Sequence, residues 1–195
     1  MNVYILCGGK NSRFNYKEKA LEPINGESSI QLLINQLNRT ELPLTLISNN
    51  PAYKQFELPT IPDEIQDIGP LGALFTALNH SDSDWIFLIA ADMPFFQVDL
   101  IRYLSDRKMN VQAVIPSDKT GLQPLAALYH RSCIDQVKKQ IETGGYGMYQ
   151  LIKKLNCNLI PIDHQLSFYT DHLFFNMNDM ADLEKARRIY ADSKN

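Results

Sequence analysis

Leu6-Cys7-Gly8-Gly9-Lys10-Asn11-Ser12-Arg13, followed by Glu18-Lys19-Ala20-Leu21, is the stretch from which the fold is read. The short apolar run ahead of it, Val3-Tyr4-Ile5-Leu6, suits a buried strand. Two glycines and a run of small polar and cationic residues come next. Without a Cβ, Gly8 and Gly9 let the backbone bend tightly and approach a bound group closely. Amides there can face phosphate oxygens, and Lys10, Arg13 and Lys19 supply positive charge nearby. On its own, a strand-ending turn with surface cations accounts for the segment equally well. It is not a Walker A loop, since no Gly-Lys-Ser/Thr ending is present. It also lacks the third glycine of a dinucleotide-binding turn.

Outward from this loop, strands alternate with helices. Ser28-Ser29-Ile30-Gln31 has the form of a capping box, and Ile30, Leu33, Ile34 and Leu37 then line one helical face. Leu44 to Ser48 is a second strand, stopped by Asn49-Asn50-Pro51. Thr60-Ile61-Pro62 is a weak third, with Asp63 just beyond it. Gly69-Pro70-Leu71-Gly72 opens a helix whose stripe is Leu71, Leu74, Phe75 and Leu78. Trp85 to Ala90 is nearly all apolar, as a strand buried on both faces must be, and it ends at Asp92-Met93-Pro94. A helix over Val98 to Leu104 follows, then strands at Ala113 to Ile115 and, after the turn at Lys119-Thr120-Gly121, at Ala126 to Tyr129. Helices at 134–142 and 148–155, a strand at 158–162 and a last helix with Leu183, Ala186 and Tyr190 complete the chain. This alternation predicts a three-layer α/β/α sandwich on a mostly parallel, Rossmann-like sheet, as one domain over residues 1–195.

Apolar residues make up 45 % and charged residues 21 % of the 195, a globular balance rather than a disordered one. A net charge of -3 predicts no general attraction to nucleic acid, so any anionic ligand needs local positive charge. The longest apolar run, Trp85 to Ala91, falls far short of the ~20 residues that span a bilayer. No basic region precedes an apolar stretch at the N-terminus, so no secretory signal is expected and the cytoplasm is the expected compartment. Cys7, Cys133 and Cys157 lack metal-site spacing and are read as reduced packing residues.

In an open parallel sheet, ligands bind beyond the carboxyl ends of the strands. The residues found there are the glycine loop, Asp63, Asp92 and, ahead of the last helix, Asn176 and Asn178. Asp92 follows a wholly apolar strand, where a carboxylate is costly unless it meets water, a donor or a metal. Magnesium, which takes one or two carboxylates plus waters and substrate phosphates, suits such a position. A turn or helix-capping Asp before Pro94 is the competing account.

These segments resemble a known family. The first loop is similar to the Leu-Ala-Gly-Gly-x-x-x-Arg signature, with a following Lys, of the nucleotide-diphospho-sugar-transferase-like nucleotidyltransferases. Ala91-Asp92-Met93-Pro94 resembles that family's Asp-x-Pro motif, and Gly69-Pro70-Leu71-Gly72-Ala73 its Gly-Pro-Leu-x-Gly segment. Gln123 to Tyr129 resembles its Pro-x-x-Ala-Leu-Tyr strand near the second substrate. Phe175-Asn176-Met177-Asn178 is similar to the Asn-x-Asn-Thr-Pro segment of the molybdenum cofactor guanylyltransferases. Departures are Cys7 for Ala, Phe14-Asn15 for Met-Gly, Glu18 for Asp, Gly72 one residue early, and Asp179-Met180 for Thr-Pro, where Asp179 still suits a helix cap.

The resemblance implies transfer of GMP from GTP to the phosphate of molybdenum-molybdopterin, with Mg2+ as cofactor. It puts Arg13 and Lys19 on the phosphates and Asp92 on magnesium. It puts Leu6, Cys7, Gly8 and Gly9 around guanine and ribose, and the helix start at Gly69 toward the nucleotide. Asp63 matches, with a one-residue gap, an acid that helps hold the nucleotide, with Glu64 and Asp67 as rivals for that place, and Ser48 falls where some relatives place an Asn against the base. Asn176 and Asn178 go to the acceptor or the metal. Transient contact with molybdenum-insertion or molybdoenzyme-maturation proteins and a monomeric state are expected. The same chemistry with CTP, or with a sugar or alcohol phosphate, stays open, as does a nucleotide-binding partner protein without catalysis.

Overall fold

The computed structural model describes residues 1–8 and 18–193. Among them, ten strands run in chain order as β1 (Asn2–Leu6), β2 (Pro23–Ile24), β3 (Glu27–Ser28), β4 (Leu44–Ile47), β5 (Thr60–Ile61), β6 (Trp85–Ala90), β7 (Ala113–Asp118), β8 (Gly121–Leu122), β9 (Ala126–His130) and β10 (Cys157–Pro161). The helices are α1 (Ser29–Leu37), α2 (Pro70–His80), α3 (Asp99–Ser105), α4 (Ile134–Glu142), α5 (Met148–Ile152) and α6 (Met180–Asp192). Apart from the β2–β3 hairpin, the strands form one sheet in the order β10-β7-β9-β6-β1-β4-β5, with β8 beside β7.

Pairings of β1 with β4 and β6, of β4 with β5 and of β7 with β10 are parallel. β9 alone runs against both its neighbours, β6 and β7. The reason is local. β7 turns straight back into β8 at Thr120-Gly121, where Gly121 has φ +121°, and the few residues from there to β9 are too short for a parallel crossover.

Helices cover both faces. Val3 and Ile5 of β1 point to the side packed by Ile30, Leu33 and Leu37 of α1 and Leu100 and Leu104 of α3. Tyr4 points to the side packed by Leu71 and Leu74 of α2, Val137 of α4 and Leu151 of α5. β6 shares its residues between the two faces, Phe87 and Ile89 on one and Ile86 and Leu88 on the other, which is why it reads as a continuous apolar run. A third cluster joins Ile24 of the hairpin to Met177, Leu183 and Ala186, so α6 closes over the β2–β3 hairpin.

Ser28 caps α1 by accepting the Gln31 amide at 3.3 Å. The reciprocal half of the expected capping box is not made, because the Gln31 side chain donates to Asn35 at 2.9 Å instead. α5 stops at Ile152, three residues before the expected end, although Leu155 stays buried. Among the described residues no helix is long and apolar enough to cross a membrane.

Candidate active site

β1, β4 and β6 lie side by side and end together, and a cavity of about 790 Å³ opens at their carboxyl ends. That volume is within the range of ligand sites. Its wall includes Leu6, Cys7 and Gly8 after β1, Ser48 after β4, and Ala91 and Asp92 after β6. The strand ends are tied to one another: Cys7 N–H donates to Ile47 C=O at 3.0 Å and Ala91 N–H to Leu6 C=O at 3.0 Å. Gly8 takes φ +148°, a conformation open to glycine, and among the described residues nothing lies within 4 Å of where a Cβ would be. Ser48 accepts the Asn50 amide on its hydroxyl at 3.1 Å, a turn role at the cavity wall.

Lys19 opens a short 3-10 turn, 19–21, and its ammonium pairs with Asp92 Oδ2. Asp92 is 6 % exposed, and among the described residues its Oδ1 has no hydrogen-bond partner. Burial raises the Asp92 pKa above the ordinary 3.8 despite the opposing pull of Lys19. The main chain that carries the carboxylate is fastened at two carbonyls, Ser29 Oγ donating to that of Ala91 at 2.9 Å and Met177 N–H to that of Asp92 at 3.0 Å. The Met177 bond brings Asn176 and Asn178 to the same cavity. Asn176 Oδ1 is likewise buried without a partner among the described residues. Asn178 donates its side-chain amide to the Asn176 carbonyl at 3.2 Å, and its backbone N–H to Asp182 at 2.8 Å. Asp179 caps α6 as expected, accepting the Asp182 amide at 3.0 Å.

Asp63, at the far wall, accepts on Oδ1 from Thr76 Oγ1 at 3.0 Å and Ile65 N–H at 3.3 Å. Its pKa is raised by burial, partly offset by those two bonds. Gly69 has φ +69°, turns the chain into α2 and lines the cavity beside Pro70. Gly72, displaced by one residue from the family pattern, has its own job: a Cβ there would meet Ile65 C=O at 2.4 Å and Ile68 Cγ1 at 2.9 Å. The loop bearing Asp63 therefore lies directly on α2.

Leu6, Cys7, Gly8, Lys19, Ser48, Asp63, Gly69, Asp92, Asn176 and Asn178 thus share one cavity. Gly9 and Arg13 lie outside the described residues. Cys7 is buried and its thiol is pushed well above its ordinary pKa, first by burial and then by Glu18 and Asp92, so it packs as a neutral group. Sequence reasoning missed the polar seat of Glu18, formed by Asn50 and Tyr53. Asn50 before Pro51 was legible as a stop and is indeed the cap of the turn 51–56, but nothing local marks Tyr53.

The donors at this cavity suit a divalent cation. Among the described residues Asp92 Oδ1 and Asn176 Oδ1 are buried oxygens lacking partners, and there is no cluster of three or more His, Cys, Asp or Glu. Few hard oxygen ligands, completed by water and phosphate, fit magnesium and not an all-protein zinc site.

The MobA-like NTP transferase domain family matches residues 3–158. A protein of Clostridium perfringens named "probable molybdenum cofactor guanylyltransferase" is 33 % identical over 184 residues, covering 92 % of each chain. A molybdenum cofactor guanylyltransferase of Syntrophotalea carbinolica is 28 % identical, covering 96 % of this chain and 90 % of its own. In fold, the chain is similar to molybdopterin-guanine dinucleotide biosynthesis protein A of Archaeoglobus fulgidus (TM-score 0.84, 24 % identity, 98 % and 100 % covered). It is also similar to a 4-diphosphocytidyl-2C-methyl-D-erythritol synthase of Anaerococcus prevotii (TM-score 0.76, 10 % identity, 97 % of each chain covered). Fold, cavity and kinship together define a nucleotidyltransferase. The chain belongs to the MobA-like NTP transferase family, on its molybdenum cofactor guanylyltransferase branch.

Proposed function

We propose that this nucleotidyltransferase moves GMP from GTP to the terminal phosphate of molybdenum-molybdopterin, giving molybdopterin guanine dinucleotide and pyrophosphate. The observation that carries the reading is the meeting of Lys19 and Asp92 in one cavity with Asn176 and Asn178. The names of the relatives supply the substrate pair.

An oxygen of the acceptor phosphate attacks the α-phosphorus of GTP as the bond from that phosphorus to the bridging oxygen of the β-phosphate breaks. The acceptor is already an anionic nucleophile, so no strong general base is needed. Holding it in line and stabilising charge on the leaving pyrophosphate carry the rate. Lys19 and Arg13 bind phosphate oxygens. Backbone groups of Leu6, Cys7, Gly8 and Gly9 line the guanine and ribose, with Ser48, Asp63 and the Gly69 helix start completing the nucleotide wall. Asn176 and Asn178 orient the acceptor side. Asp92 Oδ1, with Asn176 as neighbour, would hold Mg2+, which supplies neutralisation of phosphate charge when bound. The chain acts as one domain over 1–195, as a monomer in the cytoplasm, with transient contacts to molybdenum-insertion or molybdoenzyme-maturation proteins.

The test is pyrophosphate release with GTP, CTP, ATP and UTP, each against molybdenum-molybdopterin and a sugar phosphate. GTP with the pterin is the expected productive pair. Consumption of CTP alone overturns the substrate assignment.

A further inference from the structure

Lys19 and the residue before it are held in two different places. Lys19 meets Asp92. Glu18 is seated against β4's end, with Oε1 accepting from Asn50 Nδ2 at 3.0 Å and Oε2 from the Tyr53 hydroxyl at 3.0 Å. Each carboxylate oxygen therefore has its own donor. A carboxylate is the wrong charge to contact a polyphosphate, so a cavity-lining Glu fixed by two protein donors calls for another role.

The seat is rigid. Tyr53 is 0 % exposed and packs against Phe56 with ring centroids 6.3 Å apart. Asn50 cannot turn freely, because its Oδ1 accepts the Ala52 amide at 2.9 Å while its backbone N–H donates to Ser48 Oγ at 3.1 Å. Those bonds leave Nδ2 facing Glu18. On the other side, the Glu18 carbonyl accepts the Leu21 amide at 2.9 Å and so starts the turn that carries Lys19. Glu18 is thus gripped by its side chain and continues by its backbone into the Lys19 turn. The reach also matters, since an Asp here would fall one methylene short of the two donors.

We propose that Tyr53 and Asn50 are positioning residues that grip Glu18 and thereby hold the Lys19 ammonium at Asp92. That the held ammonium serves GTP phosphates rests on the reading given under Proposed function. The grip itself does not.

The experiment has two readouts. The first is competitive acetylation of the lysines with acetic anhydride, mapped by mass spectrometry, which reports whether Lys19 stays paired. Relative to the other lysines, Lys19 labelling rises about 5–10-fold in Tyr53→Phe, the factor that the net worth of an ordinary hydrogen bond represents. Glu18→Asp and Glu18→Ala give a similar rise. Glu18→Gln restores protection, since its amide can accept from Asn50 and donate to the Tyr53 oxygen. Unchanged Lys19 labelling in Tyr53→Phe and Glu18→Asp overturns the proposal. So does equal loss in Glu18→Gln and Glu18→Ala.

The second readout is single-turnover GMP transfer in a double-mutant cycle. Tyr53→Phe lowers the rate about 5–10-fold in the native background and not at all with Lys19→Met, because neighbours that act through one group are non-additive. Equal losses in both backgrounds mean a merely structural role and overturn the proposal. A native protein that transfers no GMP overturns the proposed reaction instead, and the labelling result then decides the grip alone. If Tyr53→Phe melts early, the Glu18→Asp and Glu18→Gln pair carries both readouts.

Discussion

The Met177 amide donates to the Asp92 carbonyl at 3.0 Å, fastening the two-asparagine segment to the residue that bears the buried carboxylate. This single backbone bond sets Asn176 beside the site without using its side chain. Among the described residues Asn176 Oδ1 has no partner to lose. Asn176→Ala is therefore expected to cut turnover at least about 10-fold while shifting stability by under about 1 kcal/mol. Parallel kinetics and thermal melts check this.

Asp92→Asn should separate function from stability. Turnover falls by about 100–1,000-fold, the usual cost of removing a preorganised charge partner. Stability at pH 7 rises. The Asp92 pKa is raised on folding, so its contribution is favourable below the unfolded value of 3.8 and is lost as pH rises through the folded value. The Asn variant escapes that loss at pH 7 and gains nothing at pH 3. Melting curves at the two pH values test the direction.

Lys19→Met moves stability the other way. Asp92 then lacks the cation that pairs with it, so the melting temperature drops at pH 7. The deficit closes as acid protonates Asp92. Turnover falls by about 100-fold or more, since a phosphate partner is gone. A deficit that persists at pH 3 would contradict the assignment of this pair.

Gly72→Ala places a methyl 2.4 Å from the Ile65 carbonyl, and a backbone oxygen cannot swing aside. The expected cost is about 1–3 kcal/mol. Because Asp63 Oδ1 lies 3.2 Å from the same point, the variant also displaces the far wall and raises the KM for nucleotide. Gly8→Ala meets no atom of the described residues and suffers from its backbone angle.

Ligand linkage tests the cavity as a whole. GTP with Mg2+ at 100 times Kd should stabilise the native chain by about 2.7 kcal/mol. Asp92→Ala should abolish the Mg2+-dependent part of that shift. Differential scanning fluorimetry with GTP alone, Mg2+ alone and both separates the terms.

Much of this was legible along the chain because it depends on near neighbours. The strand at Trp85–Ala90 shows as an apolar run because both of its faces are buried. The Ser28 and Asp179 caps show because a cap bonds within three residues. α4 falls at its expected bounds because its apolar spacing is helical. The seat of Glu18 was not legible, since Tyr53 is one buried tyrosine among nine in the chain and gains its meaning only across the cavity. Nor was the reason for Gly72, which lies in the contact of a loop with a helix.

By itself, the sequence determined the principal strands and helices, the carboxylate after the buried strand, the glycine turn and the family likeness, all of which rest on local spacing and residue type, but it did not show the short β2–β3 hairpin or β8. Only the tertiary structure decided which of these meet. Lys19 and Asp92 pair because β1 lies between β4 and β6, which brings their ends to one rim. Asn176 reaches that rim because the Met177 amide needs a partner and finds the Asp92 carbonyl. A contact between distant residues has no local term in the chain. Its energy exists only once strand order and packing have brought the groups within bonding distance.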